Sequence, residues 1–313
     1  MPSAEKRVVI LGTGGTIAGL SASPAQHQGY RAAQLGVQAL ADAVPALAGR
    51  ALECEQVAQL DSKDMDHATW LRLAERTAWH LARDEVAGVV VTHGTDTLEE
   101  TAYFLHRVLA PHKPLVLTAA MRPASALGAD GPQNLLDAVT VACVPGAQGV
   151  VVAFGGRVLA ATDVRKVHGY RMEAFSAGDA GPLALIVDGQ VRVLREWPAQ
   201  PAHRAAGRLA DPAGWPVVEI VTSHAGARGE TLDALVAAGA RGLVVAGTGN
   251  GSLNASLLRA AERAMAAGVR VLRASRCQLG GVVGEAPDQP PSAGELTAPQ
   301  ARVELLLDLL AAR

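Results

Sequence analysis

Short, almost wholly apolar runs recur along the chain with room for a helix between most of them. They are Val8–Leu11, Gly88–Thr92, Leu115–Thr118, Gly149–Ala153, Leu183–Val187, Val217–Val221, Leu243–Ala246 and Val271–Leu272. Runs without polar alternation predict strands covered on both faces, as in a parallel sheet. Helical patterns stand between them. Leu98, Ala102, Leu105, Val108 and Leu109 recur at helical spacing behind Thr97-x-x-Glu100, which predicts a capping box at a helix start. Trp70, Leu71, Leu73, Ala74 and Leu81 predict a helix before the run at Gly88–Thr92, and Ala301–Leu310 reads as a last amphipathic helix. The alternation predicts an α/β fold with a parallel sheet and right-handed crossovers.

The pattern changes between about Val191 and Pro216, where Pro198, Pro201, Pro212 and Pro216 stand among Arg, Ala and Gly. We read a larger N-terminal domain over 1–192, with a mostly parallel sheet flanked by helices. A linker with at most one short strand follows over 193–215, then a smaller C-terminal α/β domain over 216–313. No fixed-period repeat is visible.

Composition narrows the function classes. Hydrophobic residues make up 49% and aromatics 3%, so the apolar mass is Ala, Val and Leu, suited to close packing of helices on a sheet. The net charge of −2 and the absence of a dense basic run give a nucleic-acid partner no electrostatic support. No apolar run approaches a membrane span. Glu5-Lys6-Arg7 is followed by only four apolar residues before Gly12, too short a core for a secretory signal, so the expected compartment is the cytoplasm, or the periplasm if a leader has been removed. Cys54, Cys143 and Cys277 are odd in number and widely separated, which suits neither a disulfide framework nor a zinc site. Carboxylates and histidines form no ligand cluster, so no metal or cofactor is expected.

Two glycine turns carry the chemistry. Val8-Val9-Ile10-Leu11 runs into Gly12-Thr13-Gly14-Gly15-Thr16-Ile17-Ala18-Gly19, and Val89-Val90-Val91-Thr92 runs into His93-Gly94-Thr95-Asp96-Thr97. A third turn, Gly247-Thr248-Gly249-Asn250-Gly251-Ser252, also follows an apolar run. A dinucleotide fingerprint fails, because Ile17 stands where its third glycine belongs and no acid ends a following strand. A phosphate-binding loop fails for want of Gly-Lys-Ser/Thr. The bland alternative makes Asp96 and Thr97 helix caps and nothing more. Lys166, in Thr162-Asp163-Val164-Arg165-Lys166, tips the balance. Thr16 can then serve as a nucleophile, Lys166 as the base if burial lowers its pKa, and Asp96 as the group that orients it and binds a substrate cation. Thr95 can relay the proton, and its N–H can join that of Gly15 in an oxyanion hole. Together these describe acyl transfer from an amide to threonine, followed by hydrolysis. His93 reads as a structural residue at the strand end.

Thr13-Gly14-Gly15-Thr16-Ile17-Ala18-Gly19 and His93-Gly94-Thr95-Asp96-Thr97-Leu98-Glu99-Glu100-Thr101-Ala102-Tyr103-Phe104 resemble the two signature segments of the bacterial L-asparaginase/glutaminase-asparaginase family. Ala120-Met121-Arg122-Pro123 and Ala129-Asp130-Gly131-Pro132-Gln133-Asn134-Leu135 resemble a third segment, and the likeness extends to Asn250-Gly251 and Ser275-Arg276. The resemblance implies hydrolysis of L-asparagine to L-aspartate and ammonia. It makes Thr16 the acylated nucleophile and Tyr30, in a mobile lid between Gly19 and Gly29, the residue that orients it. Thr95, Asp96 and Lys166 match the second catalytic cluster, and Ser62 the group holding the substrate α-carboxylate. Asn250, Ser252 and Glu285 match residues that a neighbouring subunit contributes, in a homotetramer built as a dimer of dimers.

Two positions depart from the family pattern. Lys63 stands where many members carry Gln or Glu near the substrate α-ammonium, so it must turn to the α-carboxylate or to solvent, or substrate affinity suffers. Ser252 stands where some members have Asn. A glutaminase-asparaginase or a hydrolase of another ω-amide, D-asparagine included, keeps the same machinery. A non-catalytic amino-acid binding module is the alternative from another class, and a dehydrogenase is weaker still.

Overall fold

The computed structural model describes residues 6–25 and 28–312. The chain forms two compact units that divide between Ala202 and His203, inside the proline-rich stretch. The first unit contains β1 (Arg7–Gly14), α1 (Val37–Asp42), β2 (Leu52–Leu60), α2 (His67–Leu81), β3 (Val86–Thr92), α3 (Leu98–Leu109), β4 (Pro114–Thr118), α4 (Gly131–Ala142), β5 (Gly149–Phe154), β6 (Arg157–Ala160), β7 (Arg165–Lys166), β8 (Phe175–Ser176), β9 (Ala184–Val187) and β10 (Gln190–Val193). Eight of these strands form one sheet in the order β10-β9-β6-β5-β4-β3-β1-β2, and β7 pairs with β8 alone.

From β5 to β2 the sheet is parallel, and its apolar runs are buried as their patterns require: every residue of β4 and β5 is covered. Val8, Ile10, Val90, Val116 and Val151 pack with Leu135 and Val139 of α4 in one continuous core. The other end is antiparallel, which the apolar runs do not announce. Gly155-Gly156 joins β5 to β6 and Asp188-Gly189 joins β9 to β10, all four at positive φ, the backbone of a two-residue hairpin turn.

The strand order places the site. From β1 the chain moves to β2 on one side and returns to β3 on the other, so the order reverses at β1, where open α/β sheets form a crevice at the carboxyl ends of their strands. Gly12 of β1 is level with Thr92 of β3, and Gly14 with Leu60 of β2. Three loops therefore leave one edge side by side. Gly15 has φ 78°, and a Cβ there would fall on the backbone of Gly94; one on Gly94 would lie 2.7 Å from the Ser62 Cβ. The loops touch only because two side chains are missing.

The start of α3 corrects the capping-box expectation. Thr97 makes no side-chain cap; its hydroxyl instead donates to the Ser62 carbonyl at 2.8 Å, tying this loop to the one after β2. A capping box does form at Thr297 and Gln300, at the start of the last helix.

The second unit holds β11 (Val218–Thr222), α5 (Glu230–Ala237), β12 (Gly242–Gly247), α6 (Ala255–Ala266), β13 (Arg270–Ser275) and α7 (Ala298–Ala311). Its sheet is β11-β12-β13, all parallel. Leu232 and Leu257 pack on Leu243 and Val245 from one face, while α7 lies against all three strands.

Gly94→Ala is expected to lower the unfolding free energy by about 1–3 kcal/mol through overpacking, read from the urea midpoint. A midpoint equal to that of the wild type would show that the three loops are not in close contact.

Candidate active site

Thr16 opens a single 3-10 turn directly after β1 and is buried. Its Oγ1 lies 2.6 Å from the Tyr30 hydroxyl. Tyr30 reaches it because the intervening segment is pinned. Leu20 and Arg31 exchange backbone hydrogen bonds of 2.9 Å at its neck, and the N–H groups of Ala124 and Leu127 donate to Gly19 and Pro24. The Ser21 and Ser125 hydroxyls meet at 2.9 Å. Gln26 and His27 of this segment lie outside the described residues.

The second cluster forms beside it. Lys166 Nζ donates to Thr95 Oγ1 at 2.9 Å and to Asp96 Oδ1 at 2.6 Å. The Lys166 side chain is 18% exposed and that of Asp96 52%, so the ion pair sits at the rim with its carboxylate turned outward. The Thr13 hydroxyl donates to the Thr92 carbonyl at 3.0 Å and binds the first turn to the end of β3.

Ser62 is buried in the loop after β2, where its Oγ accepts the Asp96 N–H at 3.1 Å. Lys63 is 66% exposed on its side chain and its Nζ lies 3.2 Å from Asp61 Oδ2. It has turned to solvent, and its charge is answered by its neighbour. Gly15 departs from expectation. Its N–H donates to the Leu60 carbonyl at 2.9 Å, so it is not an oxyanion donor; what Gly15 contributes is the space that a side chain would fill.

His93 is fully buried, with Nδ1 2.7 Å from the Gly94 carbonyl, which makes Nδ1 the protonated nitrogen. Burial holds its pKa down at about 4, so it stays neutral and stiffens the turn. Among the described residues no group of His, Cys, Asp and Glu is arranged to hold a metal ion, and no helix is long and apolar enough to cross a membrane.

Asn250, Ser252 and Glu285 belong to the second unit. Thr248 and Ser252 close the turn after β12 by exchanging backbone bonds of 3.0 and 2.8 Å. Asn250 is paired through both ends of its amide with the backbone of Val283. Glu285 Oε2 accepts the Ser292 N–H at 3.3 Å.

Sequence reasoning missed two residues here. Arg273, buried in β13, donates to the carbonyls of Asn250, Gly284 and Pro290 at 3.0–3.1 Å and so ties the Asn250 turn to the loop carrying Glu285. Its signal was a cation in step with Val271 and Ser275 along a strand. Glu99 is the other. Its Oε2 accepts the Lys166 backbone N–H at 2.6 Å, and burial, partly offset by that bond, raises its pKa to about 7. Its place beside Glu100 in the first turn of α3 made it look like an ordinary helix-start acid.

The two shifted groups pull stability in opposite directions. An unfolded chain takes up the His93 proton near pH 6.5 and the folded one near 4, so this residue costs stability as pH falls between them. Glu99 is raised from 4.5, so it costs stability as pH rises from 4.5 towards 7. Relative to wild type, His93→Asn is expected to gain stability on acidification from pH 6.5 to 4.5, and Glu99→Gln to lose it. Urea unfolding across that window checks both signs, and parallel curves for all three proteins would contradict them.

Comparison with known proteins gives these residues a family. The family model described as asparaginase, N-terminal, matches residues 7–199, and the glutaminase/asparaginase C-terminal domain matches 217–312. The chain is 38% identical to the glutaminase-asparaginase of Pseudomonas fluorescens biotype A, over 90% of this chain and 79% of that one. It is 38% identical to L-asparaginase 2 of Bacillus subtilis strain 168, over 96% and 81%. A solved structure from Campylobacter jejuni, named "Probable Cytoplasmic L-asparaginase", superposes with a TM-score of 0.91 at 38% identity, covering 97% of this chain and 95% of that one. With both of its halves matched and its order of elements shared, the chain belongs to the asparaginase family.

Proposed function

We propose that this chain hydrolyses L-asparagine to L-aspartate and ammonia through an acyl-enzyme on Thr16. The observation that carries the reading is the pairing of two hydroxyls with two activating groups at one sheet edge: Thr16 with Tyr30 at 2.6 Å, and Thr95 with Lys166 at 2.9 Å. The Tyr30 hydroxyl orients Thr16 Oγ1 towards the side-chain amide carbon. Once the Lys166 ammonium has given a proton to the Asp96 carboxylate, its neutral amine takes the Thr16 proton by way of Thr95, and a proton returns to the leaving nitrogen as ammonia departs. Water then attacks the ester, releases aspartate and restores the Thr16 hydroxyl. With the Gly15 N–H committed to Leu60, the Thr95 N–H is left to face the carbonyl oxygen of the tetrahedral intermediate.

Substrate placement follows from the same edge. Ser62 binds the α-carboxylate and Asp96 the α-ammonium, which its exposed carboxylate can reach. Asn250, Ser252 and Glu285 complete the site from the second unit of a neighbouring copy in a homotetramer, a role that the family resemblance supports and that the Arg273 tie between their loops suits. The compartment we propose is the cytoplasm, in line with the name of the Campylobacter relative.

A second reading keeps the mechanism and widens the substrate to glutamine or another ω-amide, as the name of the Pseudomonas relative suggests. The ion pair of Lys63 with Asp61 removes the charge conflict that favoured such a substrate. A binding module is disfavoured, because recognition alone needs no hydroxyl held at 2.6 Å from a phenol.

Thr16→Ala is expected to lose at least about a thousandfold in kcat for ammonia release while unfolding like the wild type. Full activity in that variant would remove the reading. Lys63→Gln is expected to keep kcat/KM for L-asparagine within about threefold across a panel of ω-amides. A gain of about tenfold or more for L-asparagine alone would mean that Lys63 opposes the substrate ammonium.

A further inference from the structure

Lys166 has an awkward address for a catalytic base. It ends a two-residue strand whose only partner among the described residues is another two-residue strand, Phe175–Ser176. Such a patch offers little to fix the backbone, and the side chain beyond it is long and flexible. The ion pair with Asp96 does not solve the problem, because its carboxylate is half exposed and exposed pairs hold weakly.

Helix α3 supplies what the strand lacks. It begins directly after Thr95-Asp96-Thr97 and is anchored by the fully buried Leu98, Phe104 and Leu105. Thr95 and Asp96, in the turn that leads into α3, grip the Nζ end of Lys166, and Glu99, the second residue of the helix, accepts its backbone N–H at 2.6 Å. The turn and the helix start that continues it thus hold Lys166 at both ends and set the separation between its backbone and its ammonium. The charged groups around the Glu99 carboxyl are Arg165 and Lys166 from β7 and Glu100 from its own helix.

We infer that Glu99 is a positioning residue for the hydrolysis: by accepting the Lys166 backbone N–H it fixes where the Lys166 ammonium meets Thr95. The inference rests on the proposed function above. It also makes the contact responsive to pH. The ionised carboxylate is the stronger acceptor, and burial brings its titration to about 7, so the grip loosens as acid is added.

The test uses the full chain and three proteins: wild type, Glu99→Ala and Glu99→Gln, each checked for folding by thermal unfolding. Glu99→Ala is expected to lose about tenfold or more in kcat for L-asparagine with KM changed less than about threefold. Amide hydrogen exchange of the peptide containing Lys166 should speed up in the same variant. The wild type is expected to lose kcat below pH 7; Glu99→Gln keeps an acceptor oxygen but no titration, so it should retain most of the kcat at pH 8 and lack that fall, and a wild-type kcat that is flat across pH 7 would overturn the pH dependence.

A folded Glu99→Ala with kcat within about twofold of wild type would overturn the inference. So would unchanged exchange at Lys166, or a Glu99→Gln profile that keeps the wild-type inflection. If the wild type itself releases no ammonia from L-asparagine, the proposed function fails and the catalytic role of Glu99 falls with it. Exchange in Glu99→Ala then still reports whether the carboxyl holds Lys166.

Discussion

Everything that gathers at this sheet edge depends on the contact between Gly15 and Gly94. Neighbouring parallel strands stand only about 5 Å apart. Loops leaving three of them in register have almost no lateral room. Side chains on either glycine would push the first turn from the second, or the second from Ser62. Without them, Thr16, Ser62, Thr95 and Asp96 crowd into one place while their backbones stay bonded to the sheet. The Gly15 N–H bond to Leu60 and the Thr13 hydroxyl bond to Thr92 act in the same direction. The cost is that Gly15, whose backbone looks well placed to receive an anion, has already spent its donor.

The parts of the fold legible in the sequence are those whose surroundings are uniform. β3, β4 and β5 are apolar because both of their faces are covered. β2 was not legible: it is an edge strand, and Glu53 and Glu55 interrupt its apolar pattern. They pair with Arg83, Arg76 and His80 rather than with the core. β10 is another edge, exposed along most of its length, although Asp188-Gly189 before it was a usable hairpin signal. At the site, the glycine turns pointed to the candidate residues but not to how they are bonded. A Thr at a helix start reads as a cap whether its hydroxyl turns to the helix or, like Thr97, to a neighbouring loop. Glu99 was hidden for the same reason, because nothing local tells a helix-start acid facing water from one reaching a strand nearly seventy residues away.

The electrostatics follow the same layering. The imidazole of His93, deepest in the second turn, is neutral and serves as a spacer with a hydrogen bond. Half-buried Glu99 titrates close to neutrality and contacts backbone. The full charges of Asp96 and Lys166 lie at the rim, where an amino-acid substrate carrying its own two charges would meet them. The sequence of layers keeps the cost of burying charge low while leaving Thr16 and Thr95 buried.

The central claim is that the Thr16 hydroxyl, and not that of Thr95 in the neighbouring loop, becomes esterified. Rapid quenching of the enzyme with L-asparagine, followed by peptide mapping in a mass spectrometer, tests it most directly. The account predicts a transient aspartyl adduct on the peptide containing Thr16. An adduct on Thr95, or on any other residue, would contradict it.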